Sequence, residues 1–160
     1  MDLSTFTYRW ARQNKAKFIG SGLYARVYKI GDMAYKIFDF YEEYSVHTLD
    51  YLRYCKRHHN KNPWLPKVYS IKRAGVFIVV EMELLSKKNT RRREDAFARL
   101  CGTEEITDKH LAGYAIKRST CDHLTSVLKY LKRKNVEWDI HRYNYLWRGD
   151  QIVIVDPCTS

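Results

Sequence analysis

Glu137-Trp138-Asp139-Ile140-His141-Arg142-Tyr143-Asn144, followed further on by Val155-Asp156-Pro157, are the two pieces of sequence on which the fold of this chain turns. Between them lie two short strand-like runs, 145–147 and 152–155, separated by Arg148-Gly149-Asp150, which has the composition of a tight turn. The D-x-x-x-x-N spacing predicts a loop whose aspartate orients or deprotonates a hydroxyl and whose asparagine offers an oxygen to Mg2+. An aspartate at the end of the second following strand adds another hard oxygen. Phosphoryl transfer uses such ligands because Mg2+ prefers octahedral oxygen coordination and neutralises charge developing on phosphate. Asp139 is therefore the candidate catalytic residue, and Asn144 and Asp156 are the candidate metal ligands.

Upstream, three strand-like runs open the chain at 17–19, 25–30 and 33–38, with Ile30-Gly31-Asp32-Met33 as the turn between the last two. Gly20-Ser21-Gly22-Leu23-Tyr24-Ala25-Arg26-Val27 lies between the first and second runs. Glycines at that place let a backbone approach phosphates closely and aim its N–H groups at them. The bland alternative is an ordinary hairpin. A strand and not a helix follows, which separates the element from a dinucleotide-binding fingerprint. Gly20, Ser21, Gly22 and Val27 are the candidate nucleotide contacts. Lys36, within Ala34-Tyr35-Lys36-Ile37, is the candidate phosphate-holding cation, against the alternative of an edge lysine facing solvent.

Helical spacing of Tyr44, Leu49, Leu52 and Cys55 predicts a helix over 41–59, with Asn62-Pro63 as its stop. Glu42, Glu43 and Asp50 on that helix are candidates to pair with Lys36, and Glu43 is favoured. Two further strands are expected at 66–73 and 76–85. The polar run SKKNTRRRED then marks a boundary, so residues 1–85 are read as one lobe and 86–160 as a second, reduced one, in a single domain. Residues 96–134 carry helical patterning, clearest at Leu124, Val127, Leu128 and Leu131. The fold class expected is α+β: an antiparallel sheet with one long helix, then a mainly helical part ending in the two short strands.

The order FIGSGLYARVYKIG, AYKIF, NPWLPKVYSIKRAGVFIVVEMELL and WDIHRYNYLWRGDQIVIVDP resembles the early serine/threonine protein kinases of short-tailed lytic phages that carry their own RNA polymerase. DIHRYN looks like the catalytic loop shared across the protein-kinase-like superfamily. The resemblance implies a minimal kinase-like fold in which Gly20 and Gly22 cover ATP phosphates, Lys36 holds them, Asp139 is the base, and Asn144 and Asp156 bind Mg2+. It further implies that the backbone of Glu81 and Glu83 contacts adenine. Implied substrates are host bacterial proteins, including transcription or translation components, and the implied outcome is host shutoff. Ala25 stands in place of a third glycine, Glu137 where many kinases have histidine, and Pro157-Cys158 after the metal aspartate.

With 29 Lys plus Arg against 18 Asp plus Glu, the net charge of +11 favours anionic partners without choosing among nucleotide, acidic protein and nucleic acid. Two alternatives to the enzyme therefore stand: a catalytically degenerate relative that occupies a host protein, and a nucleic-acid-binding protein on the same scaffold. For a protein substrate, the docking surface is expected within 86–134, where Arg91 to Arg93 and Lys129 to Lys134 are basic. Cys55, Cys101, Cys121 and Cys158 are too widely spaced for a zinc array and are read as reduced thiols. Neither a signal-peptide run nor a stretch of roughly 18 apolar residues is found, so a cytoplasmic location is expected, that of the host cell if the chain is phage-encoded.

Overall fold

The computed structural model describes residues 1–22, 24–40, 43–87, 118–134 and 144–157. The elements among them are α1 (Leu3–Gln13), β1 (Lys17–Ser21), β2 (Ala25–Ile30), β3 (Met33–Asp39), α2 (Glu43–His58), β4 (Val68–Ala74), β5 (Phe77–Glu83), α3 (Arg118–Arg133), β6 (Tyr145–Arg148) and β7 (Gln151–Ile154). The chain is α+β, with a five-stranded antiparallel sheet ordered β1-β2-β3-β5-β4 and a separate β6-β7 pair. It divides into two units: Met1–His59 with Pro66–Leu85, and Asn60–Leu65 with Ser86–Thr159.

In the first unit, β2 and β3 pair from Ala25↔Phe38 to Ile30↔Met33 across a two-residue turn. Its first residue, Gly31, has φ +55°, a conformation that a side chain resists. Side chains alternate between the faces of a strand, so Tyr28, Ile37 and Phe77 share one face, where they form a buried cluster. Leu3, Phe6 and Trp10 of α1 pack on that cluster. The Phe6 and Phe77 rings stack at 4.2 Å, and Trp10 lies 5.3 Å from Tyr35 and 5.9 Å from Tyr28. On the other face of the central strands Ala34, Lys36, Phe38, Ile78, Val80 and Met82 are all buried. Each large apolar side chain so buried contributes about 1.5–3 kcal/mol.

The sequence reading assigned no element before residue 17, yet α1 is a capped helix. Asp2 accepts from the Thr5 N–H at 2.9 Å at its start. At its end the Ala16 N–H donates to the Ala11 carbonyl at 2.8 Å and the Lys15 N–H to the Arg12 carbonyl at 3.4 Å. These two bonds make a Schellman motif, with Lys15 at φ +51° in the position that glycine usually fills. The apolar side of α1 is only a narrow stripe, and its stability comes from the sheet face it covers.

In α2, Leu49, Leu52 and Cys55 are buried at the predicted spacing, together with Thr48 and Tyr51, and Cys55 forms no disulfide among the described residues. The helix packs alongside β4. Its last turn carries Lys56, Arg57 and His58, where positive charge offsets the helix dipole.

The second unit joins α3, β6 and β7 to the loop Asn60–Leu65. Leu124, Val127 and Leu131 are buried along one side of α3, and Tyr145, Trp147, Val153 and Ile154 are buried on the hairpin. Asn62, itself buried, donates from Nδ2 to the His123 carbonyl at 2.9 Å and accepts the Trp64 N–H at 3.1 Å. The Ile154 N–H donates to the Trp64 carbonyl at 2.8 Å. Arg148 donates from both terminal nitrogens, to the carbonyls of Pro63 at 3.1 Å and Leu65 at 2.9 Å. Residues 96–117, where helical pattern was also expected, lie outside the described set. No helix among the described residues is long and apolar enough to cross a membrane.

Candidate functional site

Strand register in the first unit assembles a row of residues distant in sequence. Gly20 lies opposite Val27, Val27 opposite Lys36, Lys36 opposite Val80, and Val80 opposite Ile71. Residues directly opposite one another project from the same face, so Val27, Lys36 and Val80 stand side by side, with glycine at the β1 end. The register shift between Phe18 and Gly20 accounts for that end: it leaves Ile19 unpaired and sets Gly20 against Val27. Without it the branched side chain would occupy the row. Ala34, two residues before Lys36, adds a small buried side chain to the same face.

The fold supplies no steric reason for glycine at 20 or 22. A Cβ built at either position meets nothing within 4 Å, and neither has the positive φ that accounts for Gly31, Gly75 and Gly149. The space beside them is open. The Gly22 N–H donates to the Ala25 carbonyl at 2.9 Å and so closes the loop on itself, which leaves that donor engaged within the chain. Ser21, exposed, pairs with Arg26.

Lys36 is 7% exposed, and an ammonium is rarely so buried unless polar partners compensate its desolvation. Of the helix carboxylates considered for it, Asp50 stands 3.7 Å from Arg53 in an i,i+3 ion pair. Glu42 and the Glu43 side chain lie outside the described set.

Glu81 and Glu83 have definite uses in the sheet. The Glu83 N–H donates to the Lys67 carbonyl at 2.9 Å, while its carboxylate accepts the Lys67 N–H at 2.7 Å. Glu81 sits inside the ladder, opposite Tyr35 on one side and Ser70 on the other. Its carboxylate accepts from the Tyr35 hydroxyl at 3.1 Å and the Ser70 hydroxyl at 3.0 Å, tying three strands together. Burial first, and then the neighbouring Glu81 carboxylate, push the Tyr35 phenol above its ordinary pKa. Of the Glu81 and Glu83 backbone groups from which adenine contacts are expected, the Glu83 N–H is bonded within the sheet to Lys67.

In the second unit the hairpin brings the two expected metal ligands together. Tyr145 pairs with Ile154, so the residues just outside the pair meet: the Asn144 carbonyl accepts the N–H groups of Val155 at 2.8 Å and Asp156 at 3.2 Å. A side-chain amide and a carboxylate at adjacent backbone positions suit a hard cation whose remaining ligands are water and phosphate oxygens. Among the described residues no group of three His, Cys, Asp or Glu side chains converges as a metal cage. Asp139 lies outside the described residues.

Sequence reading missed the parts that hold this hairpin. Arg148 was read as a turn residue and Asn62 as a helix stop, but both brace the Asn60–Leu65 loop within the second unit. The signal present in sequence was the pair of unusual types, an arginine next to a turn glycine and an asparagine before proline, without its partners.

No family model matches the chain, and no curated protein matches it.

Proposed function

We propose that the chain is an ATP- and Mg2+-dependent phosphotransferase with a minimal protein-kinase-like fold, akin to the early phage serine/threonine kinases, acting on hydroxyl groups of host bacterial proteins. The observation that carries this reading is the row Gly20, Val27, Lys36, drawn from three strands by register alone. A bare backbone, an apolar side chain and a cation in sequence across one sheet suit a nucleotide's phosphates and base. Further support comes from Asn144 and Asp156 meeting at the open end of the β6-β7 hairpin.

In this mechanism the first unit binds: glycine backbone at 20 and 22 admits the phosphates, and the Lys36 ammonium holds them. Asn144 and Asp156 are the residues that would hold Mg2+ through oxygen, and Mg2+ held there would supply charge neutralisation to a transferring phosphoryl group. Asp139 would orient the acceptor hydroxyl and take up its proton as that oxygen bonds to the γ-phosphorus, while the bond from that phosphorus to the β,γ-bridging oxygen breaks and ADP leaves.

The test is transfer from γ-labelled ATP with Mg2+ into bacterial lysate proteins, with Asp139→Asn beside the wild-type chain. Label incorporation that needs Mg2+ and disappears in Asp139→Asn is the expected result. Equal labelling by both proteins would sink the assignment of Asp139. MgATP binding with no transfer by wild type would leave a nucleotide-binding module that acts by occupying its partner.

A further inference from the structure

A groove with basic side chains on its lining lies on the first unit, on the face of the sheet opposite Lys36. Arg26 lies opposite Ile37 on β2-β3, on the face that α1 covers, and Phe18 lies opposite Tyr28 on β1-β2. Between α1 and these strands runs a groove of ≈ 660 Å³ whose lining includes Arg12, Lys15 and Arg26 with Tyr8, Phe18 and Tyr28. Among the described residues no acidic side chain lines it. Arg26 makes only a hydrogen bond to the uncharged Ser4 hydroxyl, at 3.3 Å, and none of the three cations is ion-paired among the described residues.

Two details set this groove apart from an ordinary solvated basic face. Lys15 occupies the left-handed position of the Schellman motif, φ +51°, and is the one non-glycine residue among those described with a positive φ. Glycine would relieve that strain, so the chain keeps a cation there against its own backbone preference. Two aromatic rings on the groove wall are also open to solvent: Tyr8 is 67% exposed and Phe18 49%. Phe18 rests edge-on against Tyr28, 5.6 Å between centroids, which steadies the ring while leaving much of it uncovered.

We propose that this groove binds single-stranded nucleic acid, its cations tracking the phosphates and Tyr8 and Phe18 stacking on bases. A positively charged groove interleaved with open aromatic faces is the arrangement that unpaired strands use. An acidic peptide would satisfy the cations but has no general use for flat exposed rings. The inference stands independently of the phosphotransferase reading.

The test is fluorescence anisotropy of the full chain with a short labelled oligouridylate, titrated with salt. Three phosphate contacts predict a log–log salt slope of about −2 from this groove, or about a 20-fold loss of affinity between about 50 and about 200 mM salt. The combined variant Arg12→Gln, Lys15→Gly, Arg26→Gln should lose that part of the slope, while circular dichroism shows it folded. Lys15→Gly alone relieves strain, so its weaker binding cannot be blamed on unfolding. Phe18→Ala should weaken oligouridylate binding at unchanged salt slope and leave competition by polyglutamate unaltered. Wild-type affinity and slope in the combined variant would overturn the proposal. So would polyglutamate competing as well as unlabelled oligouridylate with no effect of Phe18→Ala, because the groove would then select acidic protein.

Discussion

The backbone N–H of Asp156 donates to the carbonyl of Asn144 at 3.2 Å, a main-chain bond that sets these two residues together where the β6-β7 hairpin opens and that does not depend on either side chain. Asp156→Ala should therefore leave the hairpin intact while lowering MgATP affinity roughly 10- to 100-fold, the value of a charged contact of about 1.5–3 kcal/mol. Calorimetric titration with and without Mg2+ reads this directly. An unchanged affinity would reduce Asp156 to the residue that ends a strand.

The same hairpin depends on a fork. Arg148 reaches the Pro63 and Leu65 carbonyls with two terminal nitrogens, a geometry that lysine cannot reproduce. Arg148→Lys should lower stability by about 1–3 kcal/mol, since at least one carbonyl loses a charged donor. Urea titration of both proteins measures the difference. A midpoint shift within error would mean that water replaces the fork at no cost.

These partners mark the limit of what the sequence disclosed. Strands β2 to β5 and the buried stripe Leu49, Leu52, Cys55 of α2 were legible because periods of two and of about 3.6 survive in a one-dimensional reading. The helix α1 was not, because its apolar stripe is narrow and its worth lies in covering Tyr28, Ile37 and Phe77. For the candidate site, residue types were readable and alignment was not. Gly20, Val27 and Lys36 share a row only through a register shift beside Ile19. Likewise, nothing in the sequence indicated that the Glu83 N–H is committed to Lys67.

At the start of α1, the Thr5 N–H, and secondarily the Thr5 hydroxyl, hold the Asp2 carboxyl below its ordinary pKa. A carboxylate whose folded pKa is depressed stabilises above its unfolded pKa, and the contribution is lost as pH falls through the folded value. Asp2→Asn keeps a capping oxygen but no charge. Its deficit against wild type should be present at neutral pH and vanish in acid, as read by urea midpoints across that range. A deficit independent of pH would assign the cap's value to hydrogen bonding alone.

At the other end of α1, Lys15→Gly should raise stability by about 1 kcal/mol, because the left-handed conformation at φ +51° no longer carries a Cβ. Thermal melts of the two proteins decide it. A lower melting temperature would mean that the lysine stem contributes packing worth more than the strain.

Lys36 is the residue on which binding and chemistry are both expected to depend. It stands between Val27 and Val80 on the buried face, so a methionine of similar length fits among the same neighbours. Lys36→Met should therefore retain a cooperative unfolding transition. An ammonium offered to phosphates in ground and transition states alike contributes to both affinity and rate. MgATP affinity and the single-turnover rate should accordingly each fall, by roughly 10- to 100-fold if each loses one charged contact. The pattern separates the alternatives. A lysine that only completes the sheet would change the melting curve and leave both parameters of the folded fraction at wild-type values, whereas a loss of rate at unchanged affinity would place Lys36 beside the transferring phosphate alone.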